Sequence, residues 1–147
     1  MYLLDTNIIS ETRKPRPHGG VLAWIRTVPP EQLFLSAVTM GELQRGLESL
    51  YKKDVGKAQE IHQWVNRLAA IYEVIPADGA IFRKWATITR DKPKHPWEDA
   101  LIAATACERR LIVATRNTKD FEGFTTDSDV FTLQTYNPFH YDTRDKA

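Results

Sequence analysis

Cysteine is almost missing from this sequence. Cys107 stands alone, which excludes an internal disulfide framework and a cysteine-based structural zinc site. Excess charge of one sign is missing too: 20 lysines and arginines against 19 acids leave a formal net charge of +1. Bulk charge therefore announces no nucleic-acid binder, and any such role needs a local basic patch or a metal ion. No apolar stretch approaches the roughly 20 residues needed to span a bilayer. Asp5 breaks the opening apolar run too early for a signal peptide, so a cytoplasmic protein is expected. The histidines, His18, His62, His95 and His140, show no metal-ligand spacing, and no convincing serine, cysteine or histidine nucleophile stands out. Repeats, low-complexity tracts and linkers are lacking. The 147 residues read as a single domain over 1–147, long enough to bury a core.

What is present is a rhythm of short apolar runs and amphipathic stretches. Buried strands are expected at 2–4, 33–38, 74–75, 111–114 and 130–133. Between them the spacing predicts a short helix capped by Asp5-Thr6-Asn7 and stopped by Pro15 and Pro17, then helices over 21–28, 39–51 and 55–72. Asp78 is expected to cap a helix over 79–89. A polar, proline-broken loop at 91–96 precedes an alanine-rich helix over 97–110. Strands alternating with helices predict an α/β protein: a three-layer α/β/α sandwich around a central, mostly parallel sheet of about five strands.

In open α/β sheets, sites form beyond the carboxyl ends of the strands, near a topological switch point. An acid stands at each such place: Asp5 after the first strand, Glu42 in the helix after the second, Asp99 opening the alanine-rich helix, and Asp120 beyond the fourth strand. Each has a structural reading. Asp5 suits an N-cap, Thr39-Met40-Gly41-Glu42 matches a capping box, Asp99 suits the helix dipole, and Asp120 suits a turn. None of these explains why every candidate element carries an acid. Converging carboxylates repel unless a cation lies among them, and magnesium, which prefers oxygen ligands, is the natural one. Phosphodiester cleavage is the chemistry such an ion serves.

These motifs resemble those of PIN-domain nucleases. Leu3-Leu4-Asp5-Thr6-Asn7 is similar to their opening, and Ser36 to Glu42 to their second acidic motif. Asp99-Ala100-Leu101-Ile102-Ala103-Ala104-Thr105-Ala106 is similar to the third, and Ala114-Thr115-Arg116-Asn117-Thr118-Lys119-Asp120-Phe121 to the fourth. The sequence most resembles the VapC and FitB toxins of bacterial toxin–antitoxin modules. Ser10-Glu11, Lys14-Pro15-Arg16-Pro17 and Asn137-Pro138-Phe139 lean towards the FitB-like plasmid-stability subgroup.

The resemblance implies a PIN-like fold and a toxin that cleaves RNA as a metal-dependent endoribonuclease. Asp5, Glu42 and Asp99 would be the core catalytic and metal-binding carboxylates, and Asp120 the fourth. Thr6, Asn7, Thr115 and Asn117 would be supporting polar groups. The implied cofactor is Mg2+ or Mn2+, one or two ions per site. The implied partners are an RNA substrate, a small cognate antitoxin and a second copy in a homodimer, with no membrane. Trp24, Leu47, Tyr51, Ile61 and Trp64 are the apolar candidates for the dimer face, and each suits a core position equally well.

Arg13, Lys14 and Arg16 are candidate RNA-phosphate contacts, with Arg83, Lys84, Arg90, Lys92 and Lys94 as a second basic group. Trp97 suits core packing or stacking on an unpaired base. Other phosphoryl chemistries fit less well. A receiver domain wants an acid pair after its first strand, and a haloacid-dehalogenase-type phosphatase wants a second aspartate where Asn7 stands. The remaining alternative is a catalytically inactive PIN-like module that binds RNA or protein.

Overall fold

The computed structural model describes residues 1–92, 94–124 and 133–144. Its strands are β1 (Tyr2–Leu4), β2 (Leu33–Ser36), β3 (Glu73–Ile75), β4 (Ile112–Ala114) and β5 (Thr135–Tyr136). They form one sheet in the order β3-β2-β1-β4-β5, and every pairing is parallel, where a mostly parallel sheet was expected. The chain runs outward from β1 through β2 to β3, then returns across β1 to β4 and β5. The order thus reverses between β1 and β4, whose register pairs Leu3 with Val113 and Leu4 with Ala114.

Helices cover both faces: α1 (Thr6–Glu11), α2 (Gly19–Thr27), α3 (Ala37–Tyr51), α4 (Val55–Ile71), α5 (Gly79–Ile88), α6 (Trp97–Arg109) and α7 (Thr118–Glu122). Neighbouring strand residues point to opposite faces, so a strand covered on both sides must be apolar throughout. Leu3 and Val113 pack with Ile81, Ile88 and the alanines of α6, whereas Leu4 and Ala114 pack with Ile8, Val21, Leu33 and Leu35. Burying each leucine contributes about 1.5–3 kcal/mol. Ala100, Ala103, Ala104 and Ala106 are wholly buried, and their small side chains let α6 lie close to the sheet and to α5. A third cluster, Leu47 with Ala58 and Val65, joins α3 to α4.

Four expectations need correction. The second strand stops at Ser36, and α3 starts at Ala37 rather than at residue 39. Ser36 caps it, its hydroxyl accepting from the Val38 N–H at 3.1 Å, so Thr39 and Glu42 form no capping box and Glu42 falls in the second turn. Helix α7 was not expected at all, since five residues are too few to show a period. The fifth strand is Thr135–Tyr136; of the expected 130–133, residues 130–132 lie outside the described residues, and Leu133 is not in a strand. Trp24 and Leu47 are core residues, 4% and 1% exposed, so neither is open to a dimer face. Tyr51, Ile61 and Trp64 are half-buried on the α3–α4 hairpin.

Candidate active site

Asp5 ends β1 and opens α1. Its extended backbone makes it the N-cap, one carboxylate oxygen accepting from the Thr6 N–H at 2.8 Å. The other oxygen accepts from the Thr115 hydroxyl at 2.8 Å and from Asn7 Nδ2 at 3.2 Å. Thr115 follows β4 and is fully buried, and its oxygen in turn accepts from the Asn117 N–H at 3.0 Å. Asn7 spans the same gap, its Oδ1 accepting from the Arg116 N–H at 3.2 Å. These bonds stitch the end of β1 to the end of β4 across the switch point and fix the Asp5 carboxylate. Asn117 takes part through its backbone, and its side chain makes no hydrogen bond among the described residues.

Glu42 reaches the same edge from α3. Its carboxylate accepts from the Thr6 hydroxyl at 2.9 Å, and the Thr6 and Thr39 hydroxyls are 3.1 Å apart. Thr39 is thus buried against the site, a placement its capping-box pattern concealed. Asp99 enters from the first turn of α6, and Asp120 from the first turn of α7, where it is solvent-exposed. Asp99 accepts no hydrogen bond among the described residues.

Electrostatics show that the acids share one place. Asp99 is pushed up to about 6, chiefly by desolvation and then by the charges of Asp5, Asp120, Glu42 and Glu98. Glu42 is raised by desolvation, against the Thr6 hydrogen bond, with Asp5 and Glu98 adding to the rise. Asp5 is raised because burial outweighs its hydrogen bonds from Thr115 and Thr6. Glu98 joins the cluster although nothing in its sequence position sets it apart from any first-turn acid. All four expected carboxylates, with Thr6, Asn7 and Thr115, are brought together.

The basic candidates are placed differently. Lys14 is committed to the buried Glu11 at 2.6 Å, and the Arg13 guanidinium lies over the Trp64 ring, 5.8 Å from its centre. Arg16 is exposed and has no ion-pair partner among the described residues. In the second group, Arg90 pairs with Asp91 at 3.8 Å and Lys92 lies over the Phe124 ring.

The cluster's donors are all carboxylate and hydroxyl oxygens, the chemistry of a hard cation. No three His, Cys, Asp or Glu side chains close into a finished ligand cage among the described residues. A magnesium ion held by one or two carboxylates and several waters needs no such cage. The residues present fit a hydrated divalent cation.

A parallel sheet in this order, with carboxylates gathered at its switch edge, has clear counterparts. A family model for the PIN domain matches residues 2–124. The chain is 37% identical to "Toxin FitB" of Neisseria gonorrhoeae over 95% of its own length and 99% of that protein. It is 39% identical to "VapC ribonuclease Y4jK" of Sinorhizobium fredii, over 83% of this chain and 91% of that one. Among solved structures, FitAcB from Neisseria gonorrhoeae superposes with a TM-score of 0.81 at 31% identity, covering 95% of this chain and 99% of the other. The chain belongs to the PIN-domain family. Within that family it falls in the FitB and VapC toxin branch. No helix among the described residues is long and apolar enough to cross a membrane.

Proposed function

We propose that this chain is a single-domain, metal-dependent endoribonuclease acting as the toxin of a toxin–antitoxin pair. The carrying observation is the convergence of Asp5, Glu42, Asp99 and Asp120 on one sheet edge in a chain so similar to Toxin FitB. Asp5, Glu42 and Asp99 hold one or two Mg2+ or Mn2+ ions, with Asp120 as the outer fourth carboxylate. When bound, such an ion polarises a phosphoryl oxygen and acidifies water enough to supply a nucleophile near neutral pH. The chain's own groups keep the carboxylates in place. Thr115, Asn7 and the Thr6 N–H hold Asp5, while the Thr6 hydroxyl holds Glu42. Arg16 is the member of the first basic group left to meet an RNA phosphate.

The partners follow from the same reading: a small antitoxin and a second copy of the chain. A cleft of this charge attracts a cation, and the planar fork of an antitoxin arginine suits bidentate contact with its carboxylates. The test is RNA cleavage by the purified chain with Mg2+ or Mn2+, with chelator, and with the Asp99→Asn variant. Cleavage lost in both latter arms is the expected result. RNA binding without cleavage in any arm would favour the inactive binding module.

A further inference from the structure

Beside the acid cluster, on the far side of Glu42, lies a cleft of about 320 Å³ between α3, α5 and the start of α6. Its walls are apolar, from Val38, Leu101, Phe82 and Trp97, and its rim carries Glu42, Glu98 and Arg45. Phe82 and Trp97 are 46% and 52% exposed, a conspicuous loss of burial for rings of this size in a chain whose other tryptophans are at least partly buried. The volume is at the lower end for ligand sites, fit for a flat ring system and too small for a helix. The two carboxylates that line it also act on the acid cluster: Glu42 is part of that cluster, and Glu98 raises both Glu42 and Asp99. Whatever occupies the cleft therefore adjoins the acid cluster.

We infer that this cleft is a nucleobase subsite that sets which unpaired base flanks the scissile bond. The inference rests on the ribonuclease reading and names its specificity element. Unpaired RNA bases stack on exposed aromatic rings and offer their edges to polar side chains. Glu98, the rim carboxylate with no part in holding the metal, repels a phosphate but accepts N–H donors, so it selects a base with such donors on its edge. Guanine, with adjacent N1–H and N2–H groups, is served best and uracil worst. Arg45 on the same rim can meet the phosphate that a bound base carries with it.

Two measurements test this on the full-length protein. First, cleavage ends are mapped on one RNA for the wild type, Trp97→Ala and Phe82→Ala. The variants are expected to raise KM roughly tenfold, hold kcat within about threefold, and lose preference for the base beside the cut. Second, with chelator present, fluorescence is titrated with short oligoribonucleotides rich in guanosine or in uridine. Quenching by the guanosine-rich oligomer that Trp97→Phe removes supports the subsite even in a chain that cleaves nothing, so this arm separates its failure from that of the ribonuclease reading. Unchanged cleavage patterns and KM in both variants overturn it. Equal quenching by both oligomers overturns the guanine choice, and quenching by neither overturns the subsite and leaves the cleft to a protein partner.

Discussion

Asp5 and Asp99 feel each other's charge across one cleft, yet the protein treats them in opposite ways. On the strand side, Asp5 is 6% exposed and receives three hydrogen bonds from Thr6, Asn7 and Thr115. On the helix side, Asp99 accepts none among the described residues and is surrounded by four other acids. One rim is a finished scaffold. The other stores repulsion that a bound cation would relieve, so the chain leaves this edge electrostatically open.

The largest effect that probes this contrast is on activity. Asp5→Asn and Asp99→Asn should each lower RNA cleavage by about a hundredfold or more, as loss of one strong transition-state contact does. Single-turnover assays at saturating Mn2+ check it, and near-wild-type rates in either variant remove that residue from the centre.

Stability should then separate the two. Burial raises Asp5 as well, but Asp5→Asn turns an amide NH2 towards the Thr115 and Asn7 donors, and this loss is expected to outweigh the relief and cost about 1–3 kcal/mol. Asp99→Asn should instead stabilise the metal-free protein at pH 7.5. The folded-state pKa of Asp99 lies above its ordinary 3.8, so the native protein binds the extra proton between pH 4 and 6 and its stability falls as pH rises through that window. After discounting for a half-exposed group, about 1 kcal/mol remains, or a Tm about 2–4 °C higher. The gain should vanish towards pH 4, and Mg2+ should raise the melting temperature of the wild type more than that of the variant. Thermal scans at pH 4 and 7.5 read all three. Shifts of the same sign in both variants would erase the contrast.

Thr115→Val sharpens it further. The shape is kept, but Asp5 loses a donor and the Asn117 N–H loses its acceptor, for about 1–3 kcal/mol in a chemical denaturation series. The smallest effect concerns the cap. Ser36→Ala should cost about 1 kcal/mol, whereas Thr39→Ala should leave the helical circular dichroism of α3 unchanged.

That last pair marks where the sequence misled. Thr39 and Glu42 stand at capping-box spacing, and only the end of the second strand at Ser36 shows that another residue takes the cap. The places of the first four strands and Asp5 were legible because a strand buried on both faces is mostly apolar, so the first acid after it marks the sheet's edge. Glu98 was not legible, since its neighbour Asp99 carries the same charge and only the direction of α6 shows that both address the cluster. Helix α7 and the two-residue β5 are too short for any periodicity to register. Trp24 suited a dimer face and the core equally in sequence, and the structure closes it into the core against Tyr2 and Tyr136.

The bond from Thr115 to Asp5 joins residues 110 positions apart, and β1 is the first strand made yet lies at the centre of the sheet. At about 5–20 residues per second, some 5–20 seconds of synthesis separate the two partners. Through that interval β1 can pair on one side only, and the Asp5 carboxylate has neither its Thr115 donor nor the neighbouring strand. A nascent chain therefore carries every early acid without the frame that aligns them. The centre comes into being as a late event of folding, after most of the polypeptide has left the ribosome's catalytic core.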